Sequence, residues 1–319
     1  MLDSHQLNVF LIAAETLNFT QAAQRLHMSQ PSVSQHIQTL EKHFNTDLFS
    51  RAGRNLQLTD AGLALVSAAR EMVRQSIQIE EMMASLQGDV YGHLVVGCST
   101  TPGKYVLPQL LANFHRQFPK VRVTCQVTSQ IQATQALCED DIHFALTSHL
   151  EEFCREVEFR RFMCENILLI APTNHPWAQR GTIKPQELYE TDFISREEES
   201  GTYRVTREAL NEIDIDISQL NTFLVLGNSE AIALAVQEGL GVGFVSSTVV
   251  ERLGQDRVVS INIENLEICR DIFIGRHSGR PSTKAQSSFW NFITNLTNPI
   301  NRVGRGSSIN MLLEQSIQS

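Results

Sequence analysis

One short stretch of the sequence concentrates hydroxyl and amide side chains that can form directed hydrogen bonds. Its members are Gln30, Ser32, Ser34, Gln35 and Gln38. Such groups can hydrogen-bond to the edges of DNA bases, and glutamine can pair bidentately with adenine. The same composition also describes an ordinary polar helix face, so the surrounding elements must decide between the two interpretations.

The residues around this stretch predict that it is helical. Ser29 can cap the start of a helix, and Pro31 suits its first turn because the missing N–H has no helical partner there. The inward apolar positions at helical spacing are Val33, Ile37 and Leu40.

Two shorter apolar stripes precede this helix. The first consists of Leu7, Phe10, Leu11 and Ala14. Thr20 is predicted to cap the second helix, whose apolar residues are Ala22, Ala23 and Leu26. Two short helices joined by a tight turn, with small residues at their contact, are typical of a helix-turn-helix.

The pattern over the first sixty residues resembles the LysR-type transcriptional regulators. The matching positions are Gln6-Leu7, Phe10, Asn18-Phe19-Thr20, Ala22-Ala23, Leu26, Ser29-Gln30-Pro31-Ser32-Val33-Ser34, Ile37, Leu40-Glu41, Leu48-Phe49, Arg51, Arg54, Leu58-Thr59 and Ala61-Gly62. The resemblance continues to about residue 297. It implies a winged helix-turn-helix whose wing lies between Phe49 and Leu58, with Arg51 and Arg54 at backbone phosphates or the minor groove. The DNA-binding residues expected are Thr20, Gln30, Pro31, Ser32, Ser34, Gln35, Gln38, Lys42, Arg51 and Arg54.

The charge balance argues against binding DNA through bulk positive charge. The net charge is -9, whereas phosphate neutralisation supplies much of the affinity of DNA-binding proteins. Within residues 1–60, the cations Arg25, Lys42, Arg51 and Arg54 face the carboxylates Asp3, Glu15, Glu41, Asp47 and Asp60. Three of these cations fall just after the proposed recognition helix, so we expect affinity to depend on their local placement.

A long helix is predicted from Thr59 towards residue 88. Leu65, Met72, Ile79 and Leu86 recur every seven residues, with Ala61, Ala68 and Met82 at companion positions. A sustained heptad indicates a coiled-coil seam, although packing on the chain's own second half is the alternative. About 27 residues at 1.5 Å each span roughly 40 Å, enough to separate two DNA-binding heads by the roughly 34–36 Å of adjacent half-sites. We therefore expect a homodimer or homotetramer.

Strands then alternate with helices, which predicts parallel α/β units. The predicted strands are 93–98, 121–127, 142–146, 167–170, 192–195, 222–226, 242–245 and 268–274. The predicted helices are one that ends near 118, then 130–138, 202–210, 229–237 and 282–296. The LysR resemblance implies a two-lobed fold like the type 2 periplasmic binding proteins. The expected domains are 1–58 (winged helix-turn-helix), 59–88 (linker helix), 89–298 (effector domain, lobe I about 89–163 and 267–298, lobe II about 164–266) and 299–319 (polar tail).

Polar residues follow several of these strands, and the carboxyl ends of parallel strands meet at one edge of a sheet. They are Ser99, Thr100, Thr101, Ser129, Gln130, Thr147, Ser195, Arg196, Glu197, Thr202 and Asn228. Each alone could be a helix cap, but hydroxyls and backbone N–H groups at helix starts together form an anion site. We expect a small oxyanion or carboxylate effector between the lobes.

The residues around 97–108 and 195–202 resemble the sulfur-metabolism (CysL-like) and CbbR-like branch of the family. That branch has glycine where Glu199 stands and arginine where Tyr203 stands. Glutamate does not share glycine's backbone freedom, and an added carboxylate repels an anion. Both departures weigh against transferring a named effector.

Other functions find little support in the sequence. There is no G-x-S-x-G, H-E-x-x-H or P-loop motif, so we expect no enzyme, no cofactor and no metal. Gly239, Gly241 and Gly243 precede a strand rather than follow one, which indicates close packing and not nucleotide binding.

A start without Lys or Arg in residues 1–10 and the lack of a long apolar run predict a cytoplasmic protein rather than a secreted solute-binding protein or membrane protein. Promoter DNA and RNA polymerase are the expected macromolecular partners.

The six cysteines are scattered along the chain and lack zinc-site spacing. They are Cys98, Cys125, Cys138, Cys154, Cys164 and Cys269. In a reducing cytosol we expect them to be small apolar residues. A regulator triggered by oxidation of two of them is the alternative.

Overall fold

The computed structural model describes residues 1–52, 55–86, 88–148, 150, 154–253 and 257–296. The chain divides into two compact units, Met1–Asp89 and Val90–Ser319. Arg54 and the tail expected at 299–319 lie outside the described residues. Among the helices of the described ranges, none is both long and apolar enough to cross a bilayer.

The first unit contains four helices and a two-stranded wing. These elements are α1 (Ser4–Thr16), α2 (Phe19–Leu26), α3 (Gln30–Phe44), β1 (Phe49–Ala52), β2 (Asn55–Leu58) and α4 (Asp60–Ser85). The inward faces of α1 and α3 share one core that includes Phe10, Val33 and Ile37. Since β1 and β2 pair antiparallel, the expected winged helix-turn-helix is confirmed.

Helix starts in this unit follow side-chain caps. The Ser29 hydroxyl accepts a hydrogen bond from the Ser32 N–H at 3.3 Å, as expected. The prediction that Thr20 caps α2 is wrong, because the Asn18 carboxamide accepts from the N–H groups of Thr20 and Gln21 at 2.9 and 3.2 Å. Asparagine caps at least as well as threonine, and Asn18 comes first in the chain. The helix therefore starts at Phe19.

The second unit is an α/β structure around a ten-stranded sheet. Its strands are β3 (Gly92–Cys98), β4 (Val121–Val127), β5 (Phe144–Thr147), β6 (Val157–Pro172), β7 (Thr182–Ile183), β8 (Asp192–Ser195), β9 (Asn221–Val225), β10 (Val242–Ser246), β11 (Val258–Ile263) and β12 (Ile268–His277). Its helices are α5 (Leu107–Gln117), α6 (Gln130–Cys138), α7 (Pro176–Arg180), α8 (Gly201–Asn211), α9 (Ser229–Gln237), α10 (Ser247–Leu253) and α11 (Lys284–Leu296). A π-helical turn, Pro102–Val106, precedes α5, and short 3-10 turns lie at Pro185–Glu190 and Ile217–Gln219.

Two lobes share this sheet, whose main path is β4-β3-β5-β12-β6-β10-β8-β9. Lobe I is the parallel set β4-β3-β5 with the paired halves of β12 and β6, and Phe114, Phe144 and Phe289 lie in its core. Lobe II is built on the other half of β6, followed by β10, β8 and β9. The antiparallel strands β6 and β12 pass from one lobe to the other, so they form the hinge. The expected two-lobed fold is confirmed.

Candidate functional site

The outward face of α3 carries the polar side chains expected to contact DNA. Gln30, Ser34 and Gln38 are spaced four residues apart and therefore share a face of the helix. Gln30, Pro31, Gln35 and Gln38 are exposed, Ser32 and Ser34 are half-buried, and Thr20 is exposed on α2. All these groups are available for contact, because the core takes only the opposite face of α3.

The cations of the first unit differ in their surroundings. Arg25 forms an exposed ion pair with Glu15 at 3.3 Å. Lys42 and Arg51 are exposed, and neither has an ion-pair partner among the residues that the structure describes. These two side chains, both predicted phosphate contacts, therefore carry charges that the described residues leave unpaired.

Glu41 has a structural role that the sequence did not reveal. Its Oε1 accepts hydrogen bonds from the N–H groups of Leu48 and Phe49, at 2.9 and 3.3 Å. The carboxylate therefore ties α3 to the first strand of the wing. Because the Glu41 carboxylate is hydrogen-bonded within the unit, its negative charge opposes the binding of DNA phosphates less than a fully exposed carboxylate would.

In the second unit, Gln130 organises the lobe I side of the cleft. This buried side chain opens α6, and its Oε1 accepts from the Thr147 hydroxyl at 3.2 Å and from both the N–H and the hydroxyl of Ser148, at 3.2 and 3.1 Å. The carboxyl ends of β4 and β5 are thereby joined, and two predicted site residues, Gln130 and Thr147, lie in direct contact.

The start of α8 brings lobe II against this cluster. A Cβ on Gly201 would lie 2.2 Å from the Ser148 hydroxyl and 2.5 Å from Nε2 of Gln130, so a larger residue here would have to displace both side chains. The adjacent Thr202 is buried, and its hydroxyl accepts from Arg270 at 3.0 Å. The first turn of α8 and the lobe I amide therefore meet across the cleft.

Arg196 is held by its sequence neighbour. It donates to both carboxylate oxygens of Glu197, at 2.9 and 2.6 Å, and to the Ser229 hydroxyl at 3.3 Å. Burial alone would raise the pKa of Glu197, but the hydrogen bonds from Arg196 hold that pKa below its ordinary value. The pair is therefore ionised at neutral pH.

A small pocket lies within lobe II. Its polar lining includes Ser195, Arg196 and Thr202, three of the predicted site residues, and its apolar lining includes Phe193 and Phe244. The predicted loop thus lies between this pocket and the cleft.

The remaining predicted effector residues mostly serve as helix caps or strand ends. Ser129 caps α6 by accepting from the Gln132 N–H at 3.2 Å, and Asn228 caps α9 by accepting from the Ala231 N–H at 2.8 Å. Ser99, Thr100 and Thr101 follow β3 and lead into the π-helical turn.

Two ion-pair clusters were not predicted from the sequence. One joins neighbouring strands at the hinge, and the other joins the two lobes at the cleft. At the hinge, buried Glu165 on β6 pairs with buried Arg270 on β12 and accepts from the Ser246 hydroxyl. At the cleft, Glu230 on α9 pairs with Lys104 and accepts from the Tyr105 hydroxyl. Charged residues inside a buried strand, such as Glu165, were the available signal for the first cluster.

Four of the six cysteines are paired, contrary to the expectation that they are separate small apolar residues. Cys138 pairs with Cys154 and Cys164 with Cys269 as disulfides, with Cα–Cα distances of 6.1 and 6.0 Å. Antiparallel pairing of β6 with β12 brings the second pair together across 105 residues. Cys164, Cys269 and Asp271 also offer ligand atoms within 4.8 Å of one another, but the disulfide occupies both sulfurs.

Comparison with known proteins places both units in one family. Residues 4–63 match the family described as "Bacterial regulatory helix-turn-helix protein, lysR family", and residues 87–297 match the "LysR substrate binding domain".

Individual relatives agree with this assignment. A "Probable RuBisCO transcriptional regulator" of Synechocystis sp. is 33% identical over 293 residues, which cover 89% of this chain and 83% of the relative. Full-length CbnR complexed with its target DNA has a TM-score of 0.63 at 21% identity, covering 92% of this chain and 99% of CbnR. The regulatory domain of Synechocystis CcmR in complex with 2-PG has a TM-score of 0.58 at 24% identity, covering 66% and 99%.

These matches support the CbbR-like resemblance and do not favour the cysteine-oxidation alternative. Members of this family regulate transcription and are not enzymes. The chain belongs to the LysR family of transcriptional regulators.

Proposed function

We propose that this regulator binds promoter DNA in a sequence-specific manner and that a small anionic metabolite in the cleft switches that binding. The observation that carries the effector half is the contact between Gln130 and Ser148 of lobe I and the first turn of α8 in lobe II. A ligand that binds at this contact touches both lobes, so its binding energy depends on how they are arranged.

The chemistry of the cleft supports an oxyanion or carboxylate. Amide, hydroxyl and helix-start N–H groups are donors suited to anions. The proposed effector-binding residues are Ser99, Thr100, Thr101, Ser129, Gln130, Thr147, Ser195, Arg196, Glu197, Thr202 and Asn228. The CcmR domain has the same fold and was solved with 2-PG, which makes phosphorylated carboxylates the first class to test.

The proposed switch is a population shift. Effector closure rotates the lobes about β6 and β12 and changes how a homodimer or homotetramer presents its DNA-binding heads. The changed arrangement then alters contacts with promoter DNA and with RNA polymerase.

Calorimetric titration of the full-length protein with phosphate, sulfate, 2-phosphoglycolate and small dicarboxylates tests the cleft. We expect at least one anion to bind and Gln130→Ala to weaken it about tenfold or more, because the anion then loses the amide N–H donor that Gln130 offers in the cleft. Gln135→Ala is the matched control, since Gln135 is exposed on the same helix and bonds only to Glu139 among its described partners. No heat and no thermal stabilisation with any anion would contradict the effector proposal.

Substitutions on α3 and the wing should separate base contacts from phosphate contacts. Gln30→Ala or Ser34→Ala is expected to weaken operator binding by about 1–3 kcal/mol while leaving non-specific binding unchanged. Arg51→Ala should weaken binding to all sequences and flatten its salt dependence. Fluorescence anisotropy across a salt series on operator and random DNA makes the distinction. Unchanged operator affinity in both α3 variants would remove α3 as the recognition helix.

A further inference from the structure

The π-helical turn of lobe I lies against the first turn of α9 in lobe II. A Cβ on Gly103 would lie 2.8 Å from the Cys98 sulfur and 3.1 Å from Cγ2 of Val127, so glycine lets this turn pack closely on the ends of β3 and β4. That packing fixes the two residues that follow, Lys104 and Tyr105. Irregular π turns of this kind are frequent at functional sites.

Lys104, Tyr105 and Glu230 form a three-residue clasp between the lobes. The Lys104 ammonium pairs with Oε2 of Glu230, and the Tyr105 hydroxyl donates to Oε1. The Tyr105 ring also packs against the apolar cluster of lobe II that contains Ile194 and Ile232. The Glu230 carboxylate therefore accepts from both polar side chains of the π-helical turn.

The clasp adjoins the proposed effector site. Glu230 directly follows Ser229, whose hydroxyl accepts from Arg196. Hydrogen bonds from Lys104 and then Tyr105 hold the pKa of Glu230 below its ordinary value. Burial, reinforced by Glu230, raises the pKa of Tyr105, so its hydroxyl stays protonated and remains a donor.

Two cations of this region are already paired with carboxylates of the chain itself. Arg196 is paired with Glu197, and Lys104 is paired with Glu230. An incoming anion that uses either of these two cations therefore has to displace a carboxylate. Lys104 is the more accessible of these two cations, because its side chain is about half exposed whereas that of Arg196 is only 10% exposed.

We propose that Glu230 is an internal competitor of the effector, holding Lys104 and Tyr105 until an anion in the cleft takes them over. The inference rests on the proposed anion site and adds to it a residue that sets ligand affinity. When the anion replaces Glu230, α9 is released from the π-helical turn, so the effector changes how the lobes are joined as well as how far they close.

The test compares Glu230→Gln with Lys104→Gln in the full-length protein, titrated with inorganic phosphate and with 2-phosphoglycolate. Glu230→Gln should bind roughly three- to tenfold tighter than the wild type, because the competing ion pair is gone. Lys104→Gln should bind more weakly, because the anion loses its cation. Glu238→Gln, which makes the same charge change at the exposed end of α9, is the control and should bind like the wild type.

Whether Glu230→Gln strengthens or weakens anion binding distinguishes a competitor from a purely structural clasp. A clasp that only holds the lobes together would make both substitutions weaken binding, and that result overturns the competitor role while leaving the anion site intact. Tighter binding by Glu230→Gln than by Glu238→Gln supports the competitor role, even where wild-type binding is too weak to measure. Lack of binding by the wild type and by Glu230→Gln would overturn both the anion site and its competitor.

Discussion

Replacing Arg270 by methionine is expected to lower the free energy of unfolding of the second unit by about 3–5 kcal/mol. Arg270 is 3% exposed and Glu165 is 2% exposed, and they pair at the hinge where β6 and β12 pass between the lobes. Methionine keeps the volume but leaves a buried carboxylate without its counter-ion. Equilibrium denaturation in urea, followed by circular dichroism, measures the loss.

Two further variants identify the cause of this loss. Arg161→Met removes an ion pair between the same two strands, with Asp271, but both side chains are more than one-third exposed, so it should cost less than about 1 kcal/mol. Adding Glu165→Leu to Arg270→Met should recover most of the stability, because no buried charge then remains. If Arg270→Met and Arg161→Met cost the same, burial of the hinge pair is not what stabilises it.

The hinge pair also predicts a direction for the pH dependence of stability. Burial alone would raise the pKa of Glu165, but Arg270 and the Ser246 hydroxyl together hold it below its ordinary value. The folded-state pKa is therefore depressed relative to the unfolded chain. The contribution is fully present above the unfolded-state pKa and is lost as the pH falls through the folded-state value.

The substitution Ile79→Glu is expected to dissociate the proposed dimer and to lower operator affinity about 10²- to 10⁴-fold. Met72, Ile79, Met82 and Leu86 are between 40% and 73% exposed along α4 of the first unit. An apolar stripe with heptad spacing indicates a partner helix, and a glutamate at its centre would put a charge into that seam. The affinity falls because two linked heads bind with the advantage of effective concentration and one head does not.

Ala84→Glu is the matched control for this substitution. Ala84 is exposed on the same helix but lies off the heptad seam. Analytical ultracentrifugation gives the oligomeric state, and anisotropy on operator DNA gives the affinity. A dimer that persists in Ile79→Glu with unchanged operator binding would contradict the role of α4.

The first and the last heptad positions of α4 have different surroundings. Ala61 and Leu65 pack against the core of the first unit, whereas the later heptad positions stay exposed. Periodicity alone does not distinguish these environments, because a stripe that faces a neighbouring core and a stripe that faces a partner helix repeat at nearly the same interval. The first turns of α4 therefore pack against the core of the first unit, an arrangement that neither the coiled-coil prediction nor the alternative of packing on the second half anticipated.

Most of the fold was predictable where local periodicity and caps agreed. Strand β4 and helices α6 and α9 have the expected bounds, because each is a regular apolar pattern between clear turn or cap residues. Strand β6 was expected only from residue 167 but begins at Val157. A register shift where it pairs with β12 between Ile272 and Phe273 breaks the alternation of its first half, so that half lacks the period of a strand.

The candidate site was predictable only at the level of which loops would contribute. The residues that follow strands were found because strand ends converge in such sheets. The contacts that join the lobes were not found, because their partners are far apart in the sequence. Tyr105 and Glu230 are 125 residues apart, and Glu165 and Arg270 are 105 residues apart. No local pattern reports which distant charge completes a pair.

Selection of DNA duplexes from a random pool by the full-length protein, followed by sequencing, tests the central claim most directly. The account predicts strong enrichment of a motif with two half-sites related by two-fold symmetry and separated by one helical turn or a multiple of it. It further predicts that Gln30→Ala changes the enriched bases while Arg51→Ala lowers recovery without changing them. A pool that stays random after repeated rounds with the wild-type protein would contradict sequence-specific DNA binding by this chain.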